Sequence, residues 1–209
     1  MKKHAVIIRM WHKNEEEMNW RIHYFASVVL PRLQAQSYKN FDICILTHLK
    51  YFNTLRELDP RIKPFTLSQR LVGHDGKDWE YRKHGNFSFK DTKGLEKYLI
   101  QTRIDSDDLV GPRFIELIEH NIKTESRSIV SWQPQLFILK DLSIKKMNHR
   151  YRDDRPSMFL SVSNPDPEDY DFIYSRVFFS FGKYPCRFFE EGQCWMTIHQ
   201  YNVGSGIHS

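Results

Sequence analysis

The sequence predicts an α/β fold, a central and mostly parallel mixed sheet flanked by helices, in one domain. Two observations carry this. Across residues 4–67, apolar runs and amphipathic stretches alternate as strand, helix, strand, helix, strand, the pattern that builds parallel sheets through crossover connections. Then Leu99, Ile100 and Ile104 form a buried run that ends in Asp105-Ser106-Asp107-Asp108. Three carboxylates thus fall at the carboxyl end of a strand, where open α/β sheets bind ligands.

The elements follow in order. Ala5-Val6-Ile7-Ile8 opens the first strand, over residues 4–10, and leaves Arg9 near the carboxyl edge. Ile22, Phe25, Ala26, Val29, Leu30 and Leu33 recur at helical spacing, predicting a helix over 19–36 that Pro31 kinks or interrupts. Residues 41–47 give a second strand ending in Thr47, 51–58 a short helix closed by Asp59-Pro60, and 62–67 a third strand. The polar stretch 68–94 predicts a long loop plus a helix, with Lys77, Arg82 and Lys83 as phosphate-binding candidates. After the acids, Pro112 marks a helix over 112–123. Short strands follow at 129–132, 136–139 and 144–147. Residues 150–167 are polar and proline-containing, 170–181 are aromatic-rich, and residues 195–199 close the ordered part.

The composition sets bounds on function. At 209 residues with 40% hydrophobic and 14% aromatic content, the chain suits one globular domain. A net charge of +5 favours an anionic partner. An odd three cysteines, no signal-peptide core and no apolar stretch long enough to span a bilayer point to a reduced, cytoplasmic setting.

The acid cluster invites a hard divalent cation. Asp105 and Asp107 converge on one ion only if the chain turns at Ser106, because an extended backbone sends them to opposite faces. A calcium-loop reading fails, since Leu109 and Val110 stand where that loop needs a ligand and a glycine. A plain helix cap needs one acid rather than three.

Arg9 at the end of the first strand, Trp20-Arg21 through Leu30-Pro31, Gln36 before Phe41, the Thr102 to Asp108 block, and the late Trp195, His199 and Asn202 together resemble the rhamnosyltransferases. These are GT-A-fold, nucleotide-sugar-dependent glycosyltransferases of bacteria and large algal viruses. The resemblance implies a GT-A domain over 1–209, with a nucleotide-binding half (1–108) and an acceptor-side half (109–209), cut from a longer polypeptide. It implies a bacterial cell or virus-infected host cell as the setting. It further implies Mn²⁺ or Mg²⁺ held by Asp107, Asp105 and His199, and a donor nucleotide addressed by Arg9, Thr47, Arg103 and Asp105. The expected donor is a UDP-sugar such as UDP-glucose or UDP-rhamnose, and the acceptor a glycan, free or protein-linked. An inverting reaction needs a carboxylate base, for which Glu190 and Glu191 are the candidates.

Two other classes compete. Close carboxylates also serve metal-dependent nucleases and phosphotransferases. A basic chain with interleaved aromatics also suits a non-catalytic nucleic-acid module, although that reading gives no role to three acids in an apolar neighbourhood. The glycosyltransferase reading therefore expects no nucleic acid and no membrane span.

Overall fold

The computed structural model describes residues 3–10, 14–66, 94–145, 159–165, 186–189 and 193–198. The expected loop and helix at 68–93, with Lys77, Arg82 and Lys83, and the aromatic segment 170–181 lie outside them.

The predicted parallel unit is present. Strands β1 (His4–Arg9), β2 (Phe41–Thr47) and β3 (Ile62–Thr66) pair in parallel, and β4 (Ile100–Asp105) joins β1 on its other side, also in parallel. Val6, Ile8, Ile43, Ile45, Ile100 and Ile104 alternate onto one face. There they form a core with Phe25, Val29 and Leu33 and with Phe114, Ile115 and Ile118 of a later helix. At the β3 edge stand Lys63 and Pro64, residue types that discourage further strand pairing.

The first helix starts earlier than its apolar pattern. α1 (Glu15–Tyr24) is capped by the Asn14 side chain, which accepts from the Glu16 N–H at 2.8 Å, and Glu15, Glu16 and Glu17 complement the helix dipole. A π-helical turn over Phe25–Val29 leads into α2 (Leu30–Gln34), with the Leu30 N–H donating to the Phe25 carbonyl. Pro31 therefore interrupts as expected. Having no N–H, it sits in the first turn of α2, where no donor is needed.

Beyond the acids, the chain does not pass directly into a helix. A two-residue strand β5 (Leu109–Val110) intervenes, and the helix predicted from Pro112 begins two residues later as α4, Phe114–Asn121, after the 3₁₀ turn Leu49–Tyr51 and α3 (Phe52–Leu58) earlier in the chain. Gln36, fully buried, explains the geometry. Its amide donates to the Gly111 carbonyl at 2.6 Å and its oxygen accepts from the Ile115 N–H at 3.0 Å, so one side chain caps the helix and fixes its approach.

Strands β6 (Ile129–Trp132), β7 (Gln135–Ile138) and β8 (Ser143–Lys145) match expectation to within two residues. β9 (Leu160–Ser163), by contrast, lies inside the stretch expected to be merely polar, and β10 (Cys186–Phe189) follows it. β9 inserts antiparallel between β4 and β6, giving the order β10-β6-β9-β4-β1-β2-β3. Its serines misled the pattern. Ser161 bonds Thr102 at 2.7 Å and Ser163 bonds Ser128, so polar side chains are satisfied inside the sheet. β11 (Cys194–Ile198) builds a second sheet, β5-β11-β7-β8. Among the described residues no helix is long and apolar enough to cross a membrane, and Cys44 and Cys194 are free and buried.

Asp59 closes α3. Burial opposes its charge, but two hydrogen bonds from the Arg61 guanidinium, one from the Arg61 N–H and one from Gln34 outweigh it and hold the carboxyl down at about 2. Because the folded value is depressed, this contribution is present above the ordinary carboxylate range and is lost as pH falls from about 4 towards 2. Asp59→Asn should therefore cost on the order of 2 kcal/mol in urea unfolding at pH 7, and most of that difference should vanish near pH 2.

Candidate active site

The site forms where β1 and β4 end side by side. Parallel register sets Arg9 directly beside Asp105 and Ile7 beside Arg103. Alternation then puts Arg9, Arg103 and Asp105 on the same face of the sheet. Arg103 reaches Asp105 at 3.2 Å, from Nη2 to Oδ1. Burial works against the Asp105 charge, yet Arg103 first, then Arg9 and Arg21, outweigh it and keep the carboxyl below its usual range. Thr47 ends β2 in the register of Ile45, so it faces the helix-packed core instead. It is fully buried, and its hydroxyl has no hydrogen-bond partner among the described residues.

The turn expected at Ser106 is there, over Ser106 and Asp107, with the Asp108 N–H returning to the Asp105 carbonyl at 3.3 Å. It sends the next two acids to different partners. Asp107 meets Arg21 of α1, from Nη1 to Oδ2 at 3.1 Å, and the same nitrogen donates to the Ser106 hydroxyl at 3.2 Å. Asp108 turns towards β11, where its Oδ1 accepts from the Thr197 N–H at 3.1 Å. Its Oδ2 is buried with no partner among the described residues. Burial, then the charges of Asp107 and Asp105, push the Asp108 carboxyl well above its usual range.

One face of α1 therefore addresses the acids. Tyr24, one turn beyond Arg21, stacks on Trp20 at 5.1 Å, and burial raises its hydroxyl while Asp107 and Asp108 add to the effect. Trp195 donates from its indole to the Gln135 side chain at 2.9 Å. Glu190, Glu191, His199 and Asn202 lie outside the described residues. Among those described, no group of three or more His, Cys, Asp or Glu side chains is placed to hold a metal ion.

Residues 8–165, three quarters of the chain and including the whole acid turn, match the family described as "Putative rhamnosyl transferase". The chain belongs to that family. No curated protein matches it significantly. Among solved structures it is similar to S. aureus TarS, with 12% identity and a TM-score of 0.56 over 94% of this chain and 37% of that one. It is similar also to TarS 1–349 in complex with UDP-GlcNAc (11%, TM-score 0.59, 99% and 62%) and in complex with UDP (12%, TM-score 0.53, 94% and 60%). The chain thus spans between about a third and three fifths of these proteins. At such identities the likeness is one of fold, a mixed α/β sheet of the GT-A kind.

Within this rhamnosyl transferase family member, Arg21 and Thr197 are the site residues whose roles the sequence does not reveal. Their signal is faint. Arg21 is the one arginine on α1, and Thr197 acts through its backbone.

An amide at position 108 keeps the acceptor for Thr197 while removing a charge that its neighbours oppose. Asp108→Asn should leave the fold intact and raise thermal stability at pH 7 by on the order of 1 kcal/mol. Asp108→Ala, which loses the acceptor, should lower it by a similar amount in the same melting assay.

Proposed function

We propose that this chain is the GT-A domain of a metal-dependent glycosyltransferase. It takes a UDP-sugar such as UDP-glucose or UDP-rhamnose and passes the sugar to a glycan or protein-linked glycan. One observation carries the reading: Asp105 and Asp107 lie with Arg9 and Arg103 at the carboxyl edge of β1 and β4, in a chain of the rhamnosyl transferase family. TarS, whose fold it shares, has been crystallised with UDP-GlcNAc and with UDP.

The donor set fits a hard cation. Asp105, Asp107 and Asp108 offer hard carboxylate oxygens, and Asp108 Oδ2 is buried with no partner among the described residues. Mg²⁺ and Mn²⁺ sites of this kind use one or two carboxylates and complete their sphere with substrate phosphate oxygens and water, so Asp107 and Asp105 suffice from the protein side. His199 is a further ligand in this reading, supported by β11, which Thr197 ties to Asp108 two residues earlier. The bound ion would supply charge neutralisation on the departing diphosphate.

The chain's own groups do the rest. Arg9 and Arg103 present cationic forks at the same edge for the nucleotide phosphates, with Asp105 for the ribose, while Thr47, facing the core, has no part in this reading. β10 runs parallel to β6, and through β9 in the same direction as β1 and β4, so it ends at the ligand edge. Residues 190 and 191 follow that end directly, which supports Glu191 or Glu190 as the base that takes the proton from the acceptor hydroxyl. The setting is the cytoplasm, where nucleotide sugars are at hand.

Thermal melting tests the reading. UDP should raise the melting temperature only when MnCl₂ is present, and Asp107→Ala should abolish the shift. A shift that ignores manganese, or survives Asp107→Ala, overturns the assignment. Glu191→Gln should keep the shift but slow sugar transfer by roughly a hundredfold or more, measured as UDP release with acceptor present.

A further inference from the structure

Arg21 occupies the carboxylate that a cation would need. Its Nη1 lies 3.1 Å from Asp107 Oδ2, in a pair whose side chains are only 13% and 9% exposed. The pair is thus largely desolvated, and opening it takes from the guanidinium the carboxylate it touches, which is strongly unfavourable. Yet the guanidinium is not fully used. Its Nε is buried and has no hydrogen-bond partner among the described residues. A fork with a spare buried donor, on a helix facing the acid turn, suits a second, multiply charged oxyanion.

We propose that Arg21 is an electrostatic gate on cation binding: it pairs with Asp107 and exchanges that carboxylate for the donor's diphosphate when cation and nucleotide arrive together. This rests on the reading above. The consequence is strong positive coupling between the divalent ion and the nucleotide diphosphate. The ion alone must part Arg21 from the carboxylate it touches, whereas the ion with diphosphate supplies Arg21 with a new partner. Arg9 and Arg103 cannot play this part, since both belong to the sheet edge around Asp105, whereas Arg21 approaches from α1 and touches the turn at Ser106 and Asp107. A purely supporting role for Arg21 makes the opposite prediction, because losing a support loosens the Asp107 carboxylate and weakens every ligand alike.

Manganese titration followed by electron paramagnetic resonance, with and without UDP, separates the two. In the unaltered chain, manganese alone should bind weakly, and saturating UDP should tighten it by roughly a hundredfold. Arg21→Gln should bind manganese alone about tenfold more tightly than the unaltered chain, and the gain from UDP should shrink correspondingly. Arg21→Lys, which keeps the charge, should bind manganese alone as weakly as the unaltered chain. Manganese affinity that is unchanged or weaker in a cooperatively folding Arg21→Gln overturns the gate. So does tight binding of manganese alone by Arg21→Lys, which decides the matter even should the glutamine variant fail to fold. An unaltered chain that binds no manganese even with UDP overturns the metal-dependent reading itself, and the gate with it.

Discussion

Three carboxylates within four residues repel one another, and the local structure is arranged around dispersing that repulsion. Each acid is turned to a different element: Asp105 to Arg103 and Arg9 on the sheet, Asp107 to Arg21 on α1, Asp108 to the Thr197 N–H on β11. No single partner could do this. The turn at Ser106 is what splits the directions, and it holds only because a helix, two strands and an edge of the second sheet all meet there. Asp108, which receives a neutral donor rather than a cation, is the acid left carrying the unrelieved share.

That meeting depends on the first half of the chain being rigid. β1 is flanked on both sides by parallel partners and buried nearly throughout, so the position of Arg9 is set by six residues of register with β4. α1 is less firmly defined by sequence alone. Its place comes from Met18, Tyr24 and Phe25 packing inward and from the π turn that lets the chain pass Pro31. Gln36 then ties the end of this unit to Gly111 and Ile115, beyond the acid turn. The turn is consequently clamped from before and after by one helical segment.

The parallel strands were legible because burial on both faces leaves continuous apolar runs such as Ala5 to Ile8 and Ile43 to Leu46. The acid cluster was legible for the complementary reason, that charge is costly in such company. β9 was not, because Leu160-Ser161-Val162-Ser163 satisfies its hydroxyls on Thr102 and Ser128, partners that are distant in sequence. The early start of α1 was written in Asn14 and three glutamates, a signal of capping rather than of hydrophobic period. Arg21 could be quoted as part of a resemblance, but its pairing with Asp107 spans 86 residues and no local rule reaches that far.

The insertion of β9 between β4 and β6 also orders events during synthesis. As the chain leaves the ribosome, β1 to β4 can assemble in sequence, yet the outer edge of β4 stays bare until residues 160–163 have been translated. The acid turn sits at the end of that bare edge. A nascent chain stalled before this point would display an unpaired strand open to pairing with a neighbour, so translation pauses in this interval are the moments at which misassembly threatens most.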